Sequence, residues 1–329
     1  GSQTFSYTVS RASGDSTSLF SVQPAISSNG TLTYTPKANA NGAVTFNVTV
    51  IDNGGTSNSG DDRRTYTNAF TLTVNSINDA PILVDQVRTI TIDEDIPLES
   101  NTGSAISSVL ASGSILETND NVSPGTSSDN TAYEAIAITS TSVSVGTLQY
   151  STNGGSSFTN VGSVSGNSAL LLNPSDRLRL VSPTDFNGSA GSFTFRAWDQ
   201  TTTASGSSGS KVDASTNGGT SEFSSFAETA TITVNAVNDE PTASFQTPPA
   251  VNEDAGTQTI TNFATPANGA TQLEGSQTFS YTVSRASGDS TSLFSVQPAI
   301  SADGTLTYTP KANANGAVTF NVTVIDNGG

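Results

Sequence analysis

The side chains that could do chemistry in this sequence are mostly acids and amides. The chain has 28 Asp and Glu residues against 11 Lys and Arg, for a net charge of −17, and it contains neither His nor Cys. An imidazole base and a thiolate nucleophile or metal ligand are therefore both missing. A surplus of carboxylates repels nucleic acid and anionic membranes and attracts divalent cations. The composition thus argues against nucleic-acid partners and favours a metal bound by oxygen ligands.

Acids and amides recur in two phrases where strands are expected to end. The phrases "FTLTVNSINDAP" (70–81) and "ATITVNAVNDEP" (230–241) both finish an alternating apolar run with Asn-Asp-x-Pro. A proline after a strand interrupts ladder pairing and stiffens the exit from the sheet. We interpret both phrases as linkers between domains. The alternative is plain turn chemistry, because Asn and Asp side chains also satisfy nearby backbone groups without any metal.

Short alternating runs predict that β-strands position these residues. The run "TFSYTV" places Phe5, Tyr7 and Val9 on one face, and "VTFNVTV" does the same with Val44 and Phe46. Turn phrases rich in Gly, Asn and Pro separate such runs, and no helical periodicity of useful length is present. The pattern predicts an all-β chain of tandem antiparallel β-sandwiches arranged end to end.

A long internal repeat predicts how the domains are organised. Residues 1–55 recur at 275–329, where Ala302 and Asp303 replace Ser28 and Asn29. This period is too long for one turn of a solenoid, so the repeating unit is one or more whole domains. Combined with the two linkers, it predicts the C-terminal part of a small domain at 1–78, a complete larger domain at 79–238 and the N-terminal part of the next small domain at 239–329.

This division predicts open sheet edges in both small pieces. The first piece lacks a counterpart of 239–274, and the last piece lacks a counterpart of 56–78. An open edge presents backbone groups that a strand from another chain can pair with. We therefore expect as partners the neighbouring repeats of the same chain, with self-association through these edges.

At "INDAP…IDED" and "VNDEP…VNED" the sequence resembles the bacterial cadherin-like and immunoglobulin-like tandem repeats of giant secreted adhesins, including the RTX and biofilm-associated types. The resemblance covers essentially the whole chain. It implies cadherin-like or Ig-like sandwiches, Ca²⁺ bound at each junction, and a location on the bacterial cell surface or in the extracellular matrix.

The resemblance also implies a set of calcium ligands. In the family these come from an acid on the first strand, from the linker, and from an Asp that follows the penultimate strand of the next domain. The positions of this sequence that match are Asp52, Asn78, Asp79, Glu94, Asp95, Asp199, Asn238, Asp239, Glu253, Asp254 and Asp326.

Chain length gives an independent expectation for two of these acids. Fully extended at about 3.3 Å per residue, the segment 79–94 spans about 50 Å, roughly the length of a sandwich. Glu94 is therefore expected at the far end of the larger domain, beside Asp239. Asp199 follows the last residue of an expected strand that runs back along the domain, so it is expected at the near end, beside Asp79. Carboxylate, amide and backbone oxygens of this kind are the ligands that Ca²⁺ prefers.

These features predict a stalk or matrix segment that spaces and stiffens a giant adhesin through interdomain calcium. Two alternatives remain, a repeat unit of a self-assembling extracellular filament and a calcium-dependent carbohydrate-binding module. Catalysis is not expected, because the acids stand in repeated phrases at domain ends and no His or Cys is present for a triad. Membrane insertion is not expected either, because no apolar run approaches about 18 residues.

Overall fold

Strands dominate the computed structural model, which describes residues 3–110, 113–116, 135–200, 207–267 and 277–328. The helices of these ranges are short, namely α1 (Ser16–Leu19), α2 (Ile106–Leu110), α3 (Ser290–Leu293) and a 3₁₀ turn (Ser57–Ser59). Within the same ranges no helix is long and apolar enough to cross a membrane. The predicted fold class, tandem antiparallel β-sandwiches, is confirmed.

We call residues 3–78 the first small unit, 79–238 the large unit and 239–328 the second small unit. The strands of the first small unit are β1 (Phe5–Ser13), β2 (Phe20–Ile26), β3 (Leu32–Pro36), β4 (Gly42–Asp52) and β5 (Arg63–Val74). They form a sheet in the order β1-β4-β5 and a hairpin of β2 with β3. The alternating apolar residues predicted from the sequence meet between these layers, where Phe20, Val44 and Phe46 are buried.

The large unit is a sandwich of a six-stranded and a four-stranded sheet. Its strands are β6 (Ile82–Leu83), β7 (Arg88–Asp93), β8 (Ser104–Ala105), β9 (Ile115–Leu116), β10 (Ala135–Val143), β11 (Thr147–Ser151), β12 (Thr159–Asn160), β13 (Ala169–Leu172), β14 (Arg177–Val181), β15 (Gly188–Trp198), β16 (Lys211–Val212) and β17 (Phe223–Asn235). The sheets run β16-β13-β10-β15-β17-β7 and β12-β11-β14-β8. Between them lies the main core, with Phe193 and Phe195 facing Leu178 and Leu180 across the layers.

One strand pair of the large unit decides where the chain enters and leaves. The first long strand, β7, pairs in parallel with the last strand, β17, and Ile90 lies opposite Ile232. Both strands therefore run from the near end of the unit to its far end. As a result the chain leaves the unit at the end opposite to the one where it entered, which is the end-to-end arrangement expected from the sequence.

The second small unit repeats the first with different neighbouring strands. Its strands are β18 (Thr242–Phe245), β19 (Gln258–Ile260), β20 (Ala264–Ala267), β21 (Ser280–Ser287), β22 (Phe294–Ile300), β23 (Leu306–Pro310) and β24 (Thr319–Ile325). Here β23 pairs with both β22 and β19, and β24 pairs with β21. In the first small unit β2 and β3 are the counterparts of β22 and β23, but no strand corresponds to β19. That unit has in addition β5, which pairs with β4.

The apolar clusters of the described residues fall within the three units. Leu19 and Phe46 belong to a core of the first small unit, Phe193 to that of the large unit, and Phe263 and Tyr308 to that of the second small unit. The boundaries at 78/79 and 238/239 remain a prediction from the sequence.

Candidate metal centre at the linkers

The linker between the large unit and the second small unit contacts both of them. The backbone N–H of Val237 donates to Oε1 of Glu94 in the large unit at 2.8 Å. The Nδ2 group of Asn238 donates to Oδ1 of Asp326 in the second small unit at 3.1 Å. Oδ1 of Asn238 accepts from Nε2 of Gln277 at 2.9 Å, again in the second small unit. Consecutive linker residues are therefore bonded to opposite neighbours.

Glu94 reaches this linker because β7 and β17 are parallel. Asp93 lies opposite Asn235 in that pairing, so the next residue of β7 meets the residues that leave β17. The side chain of Glu94 is 2% exposed, and Nδ2 of Asn187 lies 3.3 Å from its Oε2. Glu94 thus occupies the expected far end of the large unit, where its contacts are with a backbone amide and a side-chain amide.

Three carboxylates, those of Asp95, Asp185 and Asp239, converge beside the same linker. Their ligand atoms all lie within 4.8 Å of one another, and they border a cleft of about 530 Å³. The N–H of Asp185 donates to Oδ1 of Asp95 at 3.0 Å. Two oxygens bound to one Ca²⁺ at about 2.4 Å each are at most about 4.8 Å apart, so this spacing fits a calcium ion.

Asp185 is the member of this cluster that the sequence interpretation missed. The phrase "DFNG" at 185–188 precedes β15 as "NANG" at 313–316 precedes β24. In the second small unit the N–H of Asn313 donates to Oδ1 of Asp254 at 3.0 Å, which repeats the contact of Asp185 with Asp95. All four residues have φ between 55° and 62°. Aligning the two phrases identifies Asp185 as the acidic counterpart of Asn313.

The second small unit faces the linker with Asp326, which follows β24. Its Oδ1 accepts from Nδ2 of Asn238 and from the N–H of Gly328, both at 3.1 Å. Its Oδ2 is buried and has no hydrogen-bond partner among the described residues. Burying a carboxylate oxygen without a donor is unfavourable unless a proton or a cation compensates it. This separate observation also fits a cation near the linker.

The first linker repeats the amide–carboxylate contact of the second. The Nδ2 group of Asn78 donates to Oδ2 of Asp199 at 2.9 Å and to the carbonyl of Ser221 at 3.2 Å. Asp199 is 1% exposed and follows β15 at the near end of the large unit, where it was expected. Asp79, the next linker residue, is half-buried.

The two linkers differ in the acids that the preceding unit supplies. At the second linker the large unit supplies Asp95 and Asp185. In the first small unit Asn39, the counterpart of Asn313, stands where the large unit has Asp185. Within the described ranges the cluster at the second linker is the one group of three or more acids close enough to share an ion.

The other expected site residues lie away from both linkers. Asp52 ends β4 at the end of its unit opposite the first linker, and its Oδ1 accepts from the N–H of Gly54 at 2.7 Å. Glu253 and Asp254 are exposed at the end of the second small unit opposite Asn238. The structure therefore brings Asp95 and Asp239 together and leaves these three acids apart from them.

A comparison with protein families matches part of the chain. Residues 14–61 match the family model described as a bacterial Ig domain. Most of that segment recurs at 288–329 with two differences. Together with the sandwich fold, the match supports Ig-like repeats. No curated protein matches the chain.

Two solved structures are similar to the chain at low identity. The crystal structure of mouse cadherin-23 EC22-24 is 16% identical, with 98% of this chain and 80% of that chain covered and a TM-score of 0.40. The structure of surface layer protein SbsC, domains 1-6, is 13% identical, with 98% and 49% covered and a TM-score of 0.22. The chain thus spans about half the length of the SbsC structure.

Proposed function

We propose that this chain is a repetitive stalk or matrix segment of a giant extracellular bacterial adhesin. The observation that carries the proposal is the linker at 237–239, whose residues bond in turn to the large unit and to the second small unit. A linker held on both sides resists bending, which a spacer between a cell and its target requires. The match of residues 14–61 to a bacterial Ig domain supports the assignment to a repeat module.

We infer further that Ca²⁺ stiffens the second linker by binding between Asp95, Asp185 and Asp239. Three carboxylates this close repel one another, and a shared cation turns that repulsion into a bond between the linker and the large unit. Extracellular calcium modules commonly bind at about 10⁻⁴–10⁻³ M, so the ion is bound outside cells and not in the cytosol. At a hundredfold excess over the dissociation constant it stabilises the folded state by about 2.7 kcal/mol.

Small-angle scattering and thermal unfolding of the full chain, with calcium and with chelator, test this proposal. We expect calcium to narrow the range of overall chain dimensions seen by scattering and to raise the midpoint temperature of thermal unfolding. Asp239→Asn should abolish both responses. The matched control is Asp79→Asn at the same position of the first linker, where the described residues hold no such cluster, and it should respond like the unsubstituted chain.

Two outcomes contradict the calcium part of the proposal. One is an unsubstituted chain whose dimensions and unfolding midpoint ignore calcium. The other is an Asp239→Asn chain that still responds fully, because the ion then binds elsewhere. In either case the proposed spacer function is retained, with the linkers held by hydrogen bonds alone. The next substitutions would then remove the hydrogen bonds of Asn78 and Asn238.

The proposed function needs neighbouring repeats as partners and involves no catalysis. A glycan array separates it from the alternative of a carbohydrate-binding module. A spacer should bind no sugar with or without calcium, whereas calcium-dependent binding to a defined glycan would favour the alternative. Electron microscopy of the native material separates it from a filament unit, because a stalk gives isolated strings rather than ordered fibres.

A further inference from the structure

The large unit receives the first linker on a loop formed by residues 216–223. The backbone N–H of Ala80 donates to the carbonyl oxygen of Gly219 at 2.9 Å. Two residues earlier in the linker, Nδ2 of Asn78 donates to the carbonyl oxygen of Ser221 at 3.2 Å. The linker and the loop therefore pass each other in opposite directions with two hydrogen bonds between them. We call residues 216–223 the linker clasp.

Hydrogen bonds within the linker clasp fix its shape. The N–H of Ser221 donates to the carbonyl oxygen of Gly218 at 3.0 Å, and the N–H of Gly218 donates to that of Phe223 at 2.8 Å. Oγ of Ser221 donates to the carbonyl oxygen of Thr216 at 2.8 Å. Phe223 is 2% exposed and belongs to the same apolar cluster as Trp198. The clasp thus presents its carbonyl groups to the linker from a base that is packed into the large unit.

The backbone of the clasp requires glycine at its centre. Gly218 and Gly219 have φ of 70° and 59°, in the left-handed region that favours glycine. A Cβ atom at Gly218 would lie 2.9 Å from Cβ of Ser225, whereas one at Gly219 would meet no atom within 4 Å. Alanine at 218 should therefore displace the clasp, and alanine at 219 should add only backbone strain.

The linker that leaves the large unit is held by different chemistry. There the N–H of Val237 donates to the carboxylate of Glu94 at 2.8 Å, beside the three converging carboxylates described above. Carboxylates this close repel one another, so their arrangement responds to a bound cation. The clasp instead offers uncharged carbonyl groups, and the carboxylate of Asp199 beside them accepts from the amide of Asn78. Seating the entering linker therefore leaves no cluster of repelling charges for a cation to neutralise.

We propose that the linker clasp positions the linker that enters the large unit without a metal, so that calcium acts on the leaving linker alone. The clasp itself stands on its own contacts, and only the contrast with the leaving linker rests on the proposed function. When calcium falls, the entering linker stays seated on the large unit, and loosening is confined to the opposite end.

Amide hydrogen exchange of the full chain, measured by NMR with calcium and with chelator, tests this proposal. Ala80 and Val237 are matched reporters, because both are linker residues whose N–H donates to the large unit. We expect chelator to raise the exchange rate of Val237 several-fold and to leave that of Ala80 unchanged. A several-fold acceleration at Ala80 on chelation would overturn the proposal. If neither amide responds and Ala80 stays protected, the clasp is supported and the calcium part of the proposed function fails.

Two substitutions disturb the contact from opposite sides. Gly218→Ala alters the clasp and Asn78→Ala alters the linker, so each should accelerate exchange at Ala80 several-fold in the presence of calcium. Gly219→Ala is the matched control and should have a much smaller effect. Unchanged exchange at Val237 in the same spectra shows that the large unit remains folded. Full protection of Ala80 in both Gly218→Ala and Asn78→Ala would overturn the role of the clasp.

Discussion

The side chain of Asn78 holds Asp199 through a hydrogen bond of 2.9 Å that joins residues 121 positions apart. Asp199 is 1% exposed and stands at the end of the long strand β15. The bond therefore anchors the first linker to the near end of the large unit. In the second linker Asn238 makes the corresponding bond to Asp326, in more exposed surroundings.

Removing the Asn78 side chain should destabilise the large unit. In Asn78→Ala the buried carboxylate of Asp199 loses a donor, which we expect to lower the free energy of unfolding by about 1–3 kcal/mol. Denaturant unfolding of the full chain measures the change. Asn75→Ala, at an exposed position of the same segment, is the matched control and should have little effect. A loss as large in Asn75→Ala would contradict the role given to the Asn78 bond.

A buried ion pair in the large unit should be far more sensitive to a single substitution than to a double one. Nε of Arg88 lies 2.6 Å from Oε2 of Glu228, and the two residues are 4% and 5% exposed. The pair also bonds to Ser114 and to the backbone of Gln86. Arg88→Met leaves a buried uncompensated charge, which costs about 3–5 kcal/mol.

The double variant Arg88→Met/Glu228→Leu removes both charges and is expected to recover much of that loss. Thermal and denaturant unfolding of the single and double variants measure the coupling. If the double variant is as unstable as Arg88→Met, the loss comes from packing rather than from the unpaired carboxylate of Glu228.

Acid should remove the contribution that the Asp15 helix cap makes to the stability of the folded state. The hydroxyl and backbone N–H of Thr17 and the N–H of Ser18 donate to this carboxylate and lower the pKa of Asp15 from 3.8 to about 2. A pKa lowered by folding means that the ionised form stabilises the folded state. This contribution is complete above about pH 4 and is lost as the pH falls through about 2.

Asn at this position keeps an acceptor oxygen but does not titrate. The difference in unfolding midpoint between the unsubstituted chain and Asp15→Asn should therefore shrink between pH 5 and pH 2. Asp289, the counterpart in the second small unit, also has a pKa of about 2, since Thr291 and Ser292 donate to it, so Asp289→Asn provides a replicate. A difference that stays constant with pH would contradict the cap contribution.

Two tyrosines with the same sequence context should differ in reactivity. Tyr34 is 42% exposed and Tyr308, its counterpart, is 7% exposed, because β19 pairs with the strand of Tyr308 and the first small unit has no such strand. Nitration should therefore modify Tyr34 faster. Trypsin releases the two tyrosines in peptides of different mass, since Ser28 and Asn29 are replaced in the second copy. Equal nitration rates would show that neighbouring strands protect Tyr34 and Tyr308 equally.

The predicted boundaries of the large unit can be tested by expressing residues 79–238 alone. The main core of this unit draws its buried residues from between Leu83 and Val234, so the fragment retains all of them. We expect one cooperative transition with a midpoint close to that of the large unit in the full chain. Loss of cooperative unfolding would place a boundary outside 79–238.

The sequence predicted the strands and the linkers because both depend on local patterns. Alternation of apolar residues identified β1, β4 and β5, and Asn-Asp-x-Pro marked the two places where a long strand leaves its sheet. Chain length placed Glu94 at the far end of the large unit, since an extended segment has a fixed rise per residue, and the end of an expected strand placed Asp199 at the near end. The contacts of Glu94 with Val237 and of Asp199 with Asn78 agree with that expectation.

The membership of the acid cluster depended on tertiary structure. The sequence interpretation assigned Asp95 and Asp239 to one junction but missed Asp185, which reaches them through a turn from a different part of the chain. It also treated Glu94 as equivalent to Asp95, although the structure buries Glu94 against a backbone amide. Which of two neighbouring acids faces a shared cleft depends on the backbone conformation, and Asp95 has a φ of 59°.

The two copies of the repeat separate local from tertiary effects most clearly. By itself the shared sequence determined the same strands, the same helix cap and the same turns in both copies. Yet β4 covers Gly42–Asp52 and its counterpart β24 covers only Thr319–Ile325, and Phe46 is 2% exposed where Phe320 is half-buried. The physical reason is that strand length and burial require a partner across the sheet, and β5 supplies that partner to one copy alone in the described part of the chain.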